Sequence, residues 1–260
     1  MRDVVADSFM AFTRGFEGAV SWMYLDVKGL VTTGYGNLIN DTASVCSLPW
    51  RHQGGALANR DEVIAAWATV RGKQGQRDQH GVLWTQHGGG VFAQFTTLRL
   101  DDAGVETLVR GVMGRNDAAL ARRYPEWESW PACAQLACMS LAWACGVHYD
   151  YPAMDRALAN RDFAEASREI EMTPEHNPGN NLKRRNAANE TLMANAQRVE
   201  AYRLDLSLIE WTTVIGVHEL DTVPALEIAP DSEPTTASTY PTIHVSRYDR
   251  GPDDPPDEAA

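Results

Sequence analysis

The chain has 260 residues, 44% of them hydrophobic and 22% charged, with a formal net charge of −12 at pH 7. That length and balance fit one or two globular domains with a real hydrophobic core. No stretch reaches about 18 uninterrupted apolar residues, which argues against a membrane-spanning helix. The charge is uneven: residues 1–206 hold 21 Lys and Arg against 24 Asp and Glu, while residues 207–260 hold 2 against 11. A long-range basic field that could grip phosphate backbones is absent, so nucleic acid is not an expected partner. The opening MRDVVADSFMAFTRGFEG has no basic run followed by an apolar one, so synthesis in the cytoplasm without a secretory leader is expected.

Taken in chain order, Phe9, Phe12 and Phe16 recur at helical spacing and predict a helix over residues 8–17, with Asp7 or Ser8 as its cap and Gly18 as its stop. The period then changes. Residues 22–26 and 30–33 are short β-prone runs joined by Val27-Lys28-Gly29, a tight hairpin with glycine where positive φ is needed. Gly34-Tyr35-Gly36 follows as tight, backbone-exposed chain. Residues 41–95 are the least regular. An amphipathic helix is expected over residues 57–70, with Asn59 or Asp61 near its start. Residues 71–90 are polar and glycine-rich and predict a long loop or insertion, including His87-Gly88-Gly89-Gly90 as a flexible loop.

From Asp101 onward the pattern is helical. Asp101 or Asp102 caps a helix that presents Val105, Leu108, Val109 and Val112 on one face. Residues 132–145 are apolar nearly all round and predict the central buried helix. Shorter helices are expected over 152–159 and 163–172. Pro174 and Pro178 break the chain, and a basic helix runs over about 181–204, with Lys183-Arg184-Arg185 as a solvated face. After Ser207 the composition shifts to Pro, Asp, Glu, Ser and Thr, a disorder signature with residues 211–217 as its one sticky patch. The expected division is a folded domain over 1–206, with an insertion at about 41–97, and an acidic tail over 207–260.

Four cysteines, Cys46, Cys133, Cys138 and Cys145, do not make a disulfide framework in a chain of this length. Three fall on the apolar helix, where small buried hydrophobes are the expected role. A zinc site from Cys133, Cys138, Cys145 and His148 would need ligands that a buried helix points in different directions, so no metal is expected.

One segment concentrates chemistry: E17-G-A-V-S-W-M-Y-L-D26-V-K-G-L-V-T32-T-G-Y-G36. It places one carboxylate at a helix end, a second at the start of a hairpin turn and a hydroxyl on the returning strand. Two carboxylates flanking a groove are what glycosidic-bond hydrolysis requires, one protonated to donate to the leaving oxygen and one ionised to activate water or stabilise the oxocarbenium-like centre. Glu17 follows Phe16 at a helix C-terminus, where the dipole and apolar neighbours raise a carboxyl pKa, which makes it the expected acid. Asp26 lies in a more polar turn as the ionised partner, and Thr32 can hold the attacking water.

The spacing Glu-x8-Asp-x5-Thr, with glycine after the Glu and G-x-G two residues after the Thr, resembles the phage-type lysozymes of glycoside hydrolase family 24, the T-even and lambdoid endolysin kind. LRLDDAGVETLV, WPACAQLACMSLAWACG, DFAEASREI and NPGNNLKRRNAANETLMANA are similar to the family's later helices, so the resemblance covers roughly residues 7–204. It implies an α+β, mostly helical fold with two lobes, a small one carrying the hairpin and a larger helical one closing a cleft over Glu17. It further implies a muramidase that cleaves the β-1,4 bond between N-acetylmuramic acid and N-acetylglucosamine in peptidoglycan. Glu17 would be the general acid, Asp26 the base or electrostatic partner, Thr32 the water-positioning residue, and Leu38 and Trp143 substrate-lining residues, with no cofactor. Two positions depart from the family: Ala144, where an amide side chain is usual, and Asn37, where the best-known member has histidine. The implied partners are peptidoglycan strands, a holin or injection apparatus that brings the enzyme to the periplasmic wall, and an immunity protein. A non-catalytic glycan-binding module that keeps the fold is the competing expectation.

Overall fold

The computed structural model describes residues 1–173 and 180–216; the expected chain breaks at Pro174 and Pro178 and most of the acidic tail lie outside them. The described chain is mostly helical with one small antiparallel sheet, an α+β arrangement as expected. Among the described residues no helix is long and apolar enough to cross a membrane.

Helix α1 spans Asp3–Arg14. It starts five residues before the expected Ser8, because Arg2 is tied down by distant chain: its N–H donates to Gln135 Oε1 at 2.8 Å and its Nε to the Trp130 carbonyl at 2.9 Å. Local capping signals near Asp7 are overridden by these contacts, and the helix ends at Gly15 rather than Gly18. The sheet follows as β1 (Val20–Leu25), β2 (Val31–Gly34) and β3 (Asn37–Leu38), paired in that order. The β1–β2 turn has Gly29 at φ +78°, in the left-handed region where glycine carries no side-chain clash. The third strand is absent from the sequence expectation. Its entry turn is built on Gly34, where a Cβ would stand 2.8 Å from Asn37 Oδ1, and Asn37 Oδ1 in turn accepts the Tyr35 N–H at 3.1 Å.

Helices α2 (Thr42–Cys46) and α3 (Arg60–Arg71) come next. Asn59 caps α3 as expected, in a reciprocal box in which Glu62 returns a bond to the Asn59 N–H at 2.7 Å. The stretch over 71–95 is not a loose loop. It forms 3-10 turns at Trp84–Gln86 and Gly89–Phe95, and the second packs along β1. The Trp22 indole donates to the Gly89 carbonyl at 2.8 Å, and Gly89 lies so close to Tyr24 that a Cβ would meet its ring at 3.3 Å. Trp84, Phe92 and Phe95 pack edge-on among themselves with the Lys73 ammonium 4.5 Å above Phe95, which fixes the segment from outside.

The helical body consists of α4 (Asp102–Arg123), α5 (Ala132–Cys145), α6 (Pro152–Ala159), α7 (Phe163–Glu169) and α8 (Asn180–Ala201). Asp101 caps α4 through its bond from the Gly104 N–H, as expected. Helix α5 matches its expected bounds and is buried without interruption from Ala132 to Ala142, covered by α1, α4 and α8. Residues 207–216, expected to begin a disordered tail, instead pack onto this body: just before them the Leu206 carbonyl accepts the Ala132 N–H at 2.7 Å, and within them the Trp211 ring meets Phe12 edge-on at 5.6 Å. Buried backbone donors at the head of α5 need acceptors, and this returning chain supplies one.

Cys133 and Cys138 are buried, as expected, whereas Cys46 is half-buried and Cys145 exposed. Burial pushes the Cys133 thiol up to about 12 and raises Cys138 as well, so neither forms a thiolate near neutral pH. In native protein at pH 8, Ellman's reagent is expected to titrate Cys145 and Cys46 only, with Cys133 and Cys138 reacting after unfolding. Leu136→Ala, at a fully buried position of α5, is expected to cost about 2–5 kcal/mol in urea denaturation.

Candidate active site

A cavity of about 220 Å³ opens where the chain after α1, the β2–β3 turn, the end of α5 and the first part of α8 meet. Glu17, Tyr35, Trp143, Ala144 and Arg185 line it, with Phe16 behind. Glu17 sits one turn beyond α1, where its N–H and that of Phe16 both donate to the Thr13 carbonyl at 3.0 Å. Its carboxylate accepts a hydrogen bond from Arg185 Nη2 at 2.7 Å.

The apolar helix-end setting expected for Glu17 is therefore corrected: its nearest neighbour is a charge from the far end of the chain. Arg185 is 4% exposed against 31% for Glu17, so the cation is the interior member of the pair. Its Nη1 points to the Ser140 carbonyl on α5 at 3.5 Å, and its guanidinium lies 5.2 Å from the centre of the Phe16 ring. Burial brings the Arg185 pKa below its ordinary value while the Glu17 charge pulls the other way; a guanidinium starts so high that it stays cationic. Lys183-Arg184-Arg185 is thus not simply a solvated face. The signal was present, since Arg185 falls at helical spacing with Leu182, Asn189 and Leu192, all on the buried side of α8.

Asp26 opens the β1–β2 turn and helps to hold it: its Oδ1 accepts the N–H groups of Lys28 at 2.9 Å and Leu30 at 2.8 Å. Thr32 stands opposite Tyr24 on β1 and opposite Leu38 on β3, and directly opposed residues project from the same face. Tyr24, Thr32 and Leu38 consequently form one row across the sheet. The Tyr24 phenol in this row feels the charge of both carboxylates. Burial and the negative charges of Glu17 and Asp26 push it up to about 12. Thr32 is nearly inaccessible, and its hydroxyl donates to the Leu30 carbonyl at 3.1 Å.

Of the two residues expected to contact substrate, Trp143 lines the cavity beside Glu17. Its indole donates to the Tyr35 carbonyl at 3.2 Å, and its ring packs on Phe9 at 5.0 Å. Leu38 is 57% exposed on β3, outside the cavity wall. Ala144 lies in that wall, so its small side chain leaves space at the cavity rather than in the core. Asn37 has a structural task, closing the Gly34–Asn37 turn. Among the described residues no group of three or more His, Cys, Asp or Glu is placed to hold a metal ion.

Family models, curated proteins and solved structures were compared with this chain, and none matches it. The site's chemistry rests on its own geometry. Arg185→Lys keeps the charge but lacks the planar fork that spans Glu17 and the Ser140 carbonyl. It is expected to lower stability by about 1–3 kcal/mol in urea denaturation.

Proposed function

We propose that the chain is a peptidoglycan hydrolase, a muramidase that cleaves the β-1,4 bond between N-acetylmuramic acid and N-acetylglucosamine, with a lysozyme-like fold in two lobes. The observation that carries this reading is the placement of Glu17. It borders an open cavity, is held by a buried guanidinium, and shares the electrostatic surroundings of Tyr24 with the hairpin carboxylate Asp26. In this reading Glu17 donates a proton to the leaving glycosidic oxygen, and Asp26 stays ionised to activate water or stabilise positive charge at the anomeric carbon. Thr32 positions the water, and Trp143 offers an indole wall to the sugar. Arg185 orients the acid by donating an N–H from Nη2 to its carboxyl oxygen, and the guanidinium keeps its own charge throughout.

The activity fits a bacteriolytic enzyme acting on the periplasmic wall, reached through a holin or by injection, with an immunity protein in cells that must survive it. The second reading, a non-catalytic glycan-binding module, draws on one observation: the Thr32 hydroxyl is engaged by the Leu30 carbonyl rather than presented to a water.

Glu17→Gln keeps the shape of the side chain and removes the proton donor. Against purified peptidoglycan the wild type is expected to clear turbidity and release muropeptides with reducing muramic ends, and the variant to be slower by ~10²–10⁴-fold. Wild-type protein that is folded and binds glycan strands, yet releases nothing from several wall types, would establish the binding module instead.

A further inference from the structure

We propose that residues 205–216 form a strap that positions the Glu17–Arg185 pair, with Trp211 as the positioning residue. The inference rests on the muramidase reading for its kinetic consequence and on geometry for everything else.

The strap is made by a reversal after α8. The Leu204 N–H returns to the Val199 carbonyl at 2.9 Å, with Arg203 at φ 54° turning the chain back. From there it runs over the same helices that build the cavity. The Leu206 carbonyl accepts the first N–H of α5, and the Leu208 carbonyl accepts the Cys133 thiol at 3.1 Å. On α8 the contacts are denser. Asn195 donates through Nδ2 to the carbonyls of Glu210 at 2.8 Å and Thr213 at 2.9 Å, and its Oδ1 accepts the Ile215 N–H at 2.8 Å. Arg198 adds a bond from Nε to the Ile215 carbonyl at 2.7 Å. Asn195 is fully buried, and both ends of its amide are bound to the strap. The helix that carries Arg185 thus uses an interior amide to hold this segment.

A second line of contact runs from the strap to the acid itself. Trp211 meets Phe12 edge-on at 5.6 Å, Phe12 meets Phe16 at 5.0 Å, and the Phe16 ring lies under the Arg185 guanidinium. Phe16 is also the residue that precedes Glu17 in the chain. Trp211 therefore stands behind Phe12, which backs the ring under the cation, and Phe16 links this stack to the backbone that carries the carboxylate. Close-packed aromatic rings transmit displacement because they have little room to absorb it. Without Trp211, Phe12 and Phe16 have space to turn toward the strap, and the carboxyl oxygen moves relative to a bound glycosidic oxygen. A purely stabilising cover over α1 would leave that geometry intact.

The test uses full-length protein with Trp211→Ala and Trp211→Phe, both assayed well below their melting temperatures. Kinetics on purified peptidoglycan are read together with the ¹³C-carboxyl resonance of Glu17 by NMR at one fixed pH. Trp211→Ala is expected to lower kcat by about 10- to 100-fold with KM changed less than about twofold, since small misplacements of a reacting group act on the chemical step. The Glu17 carboxyl resonance is expected to move in the same variant, and Trp211→Phe, which keeps an edge-to-face ring, to recover most of both. If Trp211→Ala does not fold, Trp211→Leu keeps apolar bulk without the ring and is read the same way. A folded ring-less variant with wild-type kcat and an unmoved Glu17 resonance overturns the proposal. Wild-type protein inert on peptidoglycan overturns the muramidase reading instead. In that case the resonance alone decides: a shifted Glu17 carboxyl signal supports the strap's role, and an unshifted one rejects it.

Discussion

A helix with no polar face has to be covered on every side, and α5 imposes that condition on the whole chain. Its residues from Ala132 to Ala142 are all buried, and each uncovered methylene would cost on the order of 0.8 kcal/mol. Helices α1, α4 and α8 meet the condition along its length, and the strap after α8 closes its head at Ala132 and Cys133. The helices that carry candidate chemistry are the same ones that do the covering. Glu17 lies just past α1, Trp143 near the end of α5, and Arg185 on the face of α8 turned toward α5. The site is a by-product of where those helices end around a common core.

The Glu17–Arg185 pair joins residues 168 positions apart in sequence. A buried ion pair is weak evidence for stability, because desolvating a guanidinium costs as much as the pairing returns. What the pair supplies is orientation. A planar donor fork anchored by Phe16 and the Ser140 carbonyl holds one carboxylate oxygen while the cavity remains open beside it. Asp26 is held differently, by backbone N–H groups of its own turn, so the two carboxylates have separate supports.

The stretch over 71–95 contributes a boundary on the sheet side. Gly89 accepts the Trp22 indole and approaches the Tyr24 ring, and any side chain at this glycine would press on that ring. Tyr24 faces Thr32 across the hairpin and feels both carboxylates, so the packing of a remote, polar, glycine-rich segment bears on that row of the sheet. Polarity and glycine content predict a loop; they carry no information about the surface on which the loop settles.

Elements whose cause is local were legible in the sequence. The apolar run of α5, the caps Asn59 and Asp101 and the hairpin glycine Gly29 all follow from periodicity, capping chemistry or turn geometry within a few residues. Partnerships between distant segments were not. The early start of α1 depends on Gln135 and Trp130, the third strand on a turn closed by Asn37, and the order of residues 207–216 on Asn195 and Arg198. Arg185 shows the division in one residue: its helical register was readable, but its partner was not. Short-range sterics and hydrogen bonding determine which elements form, whereas the burial of α5 decides which of their side chains meet.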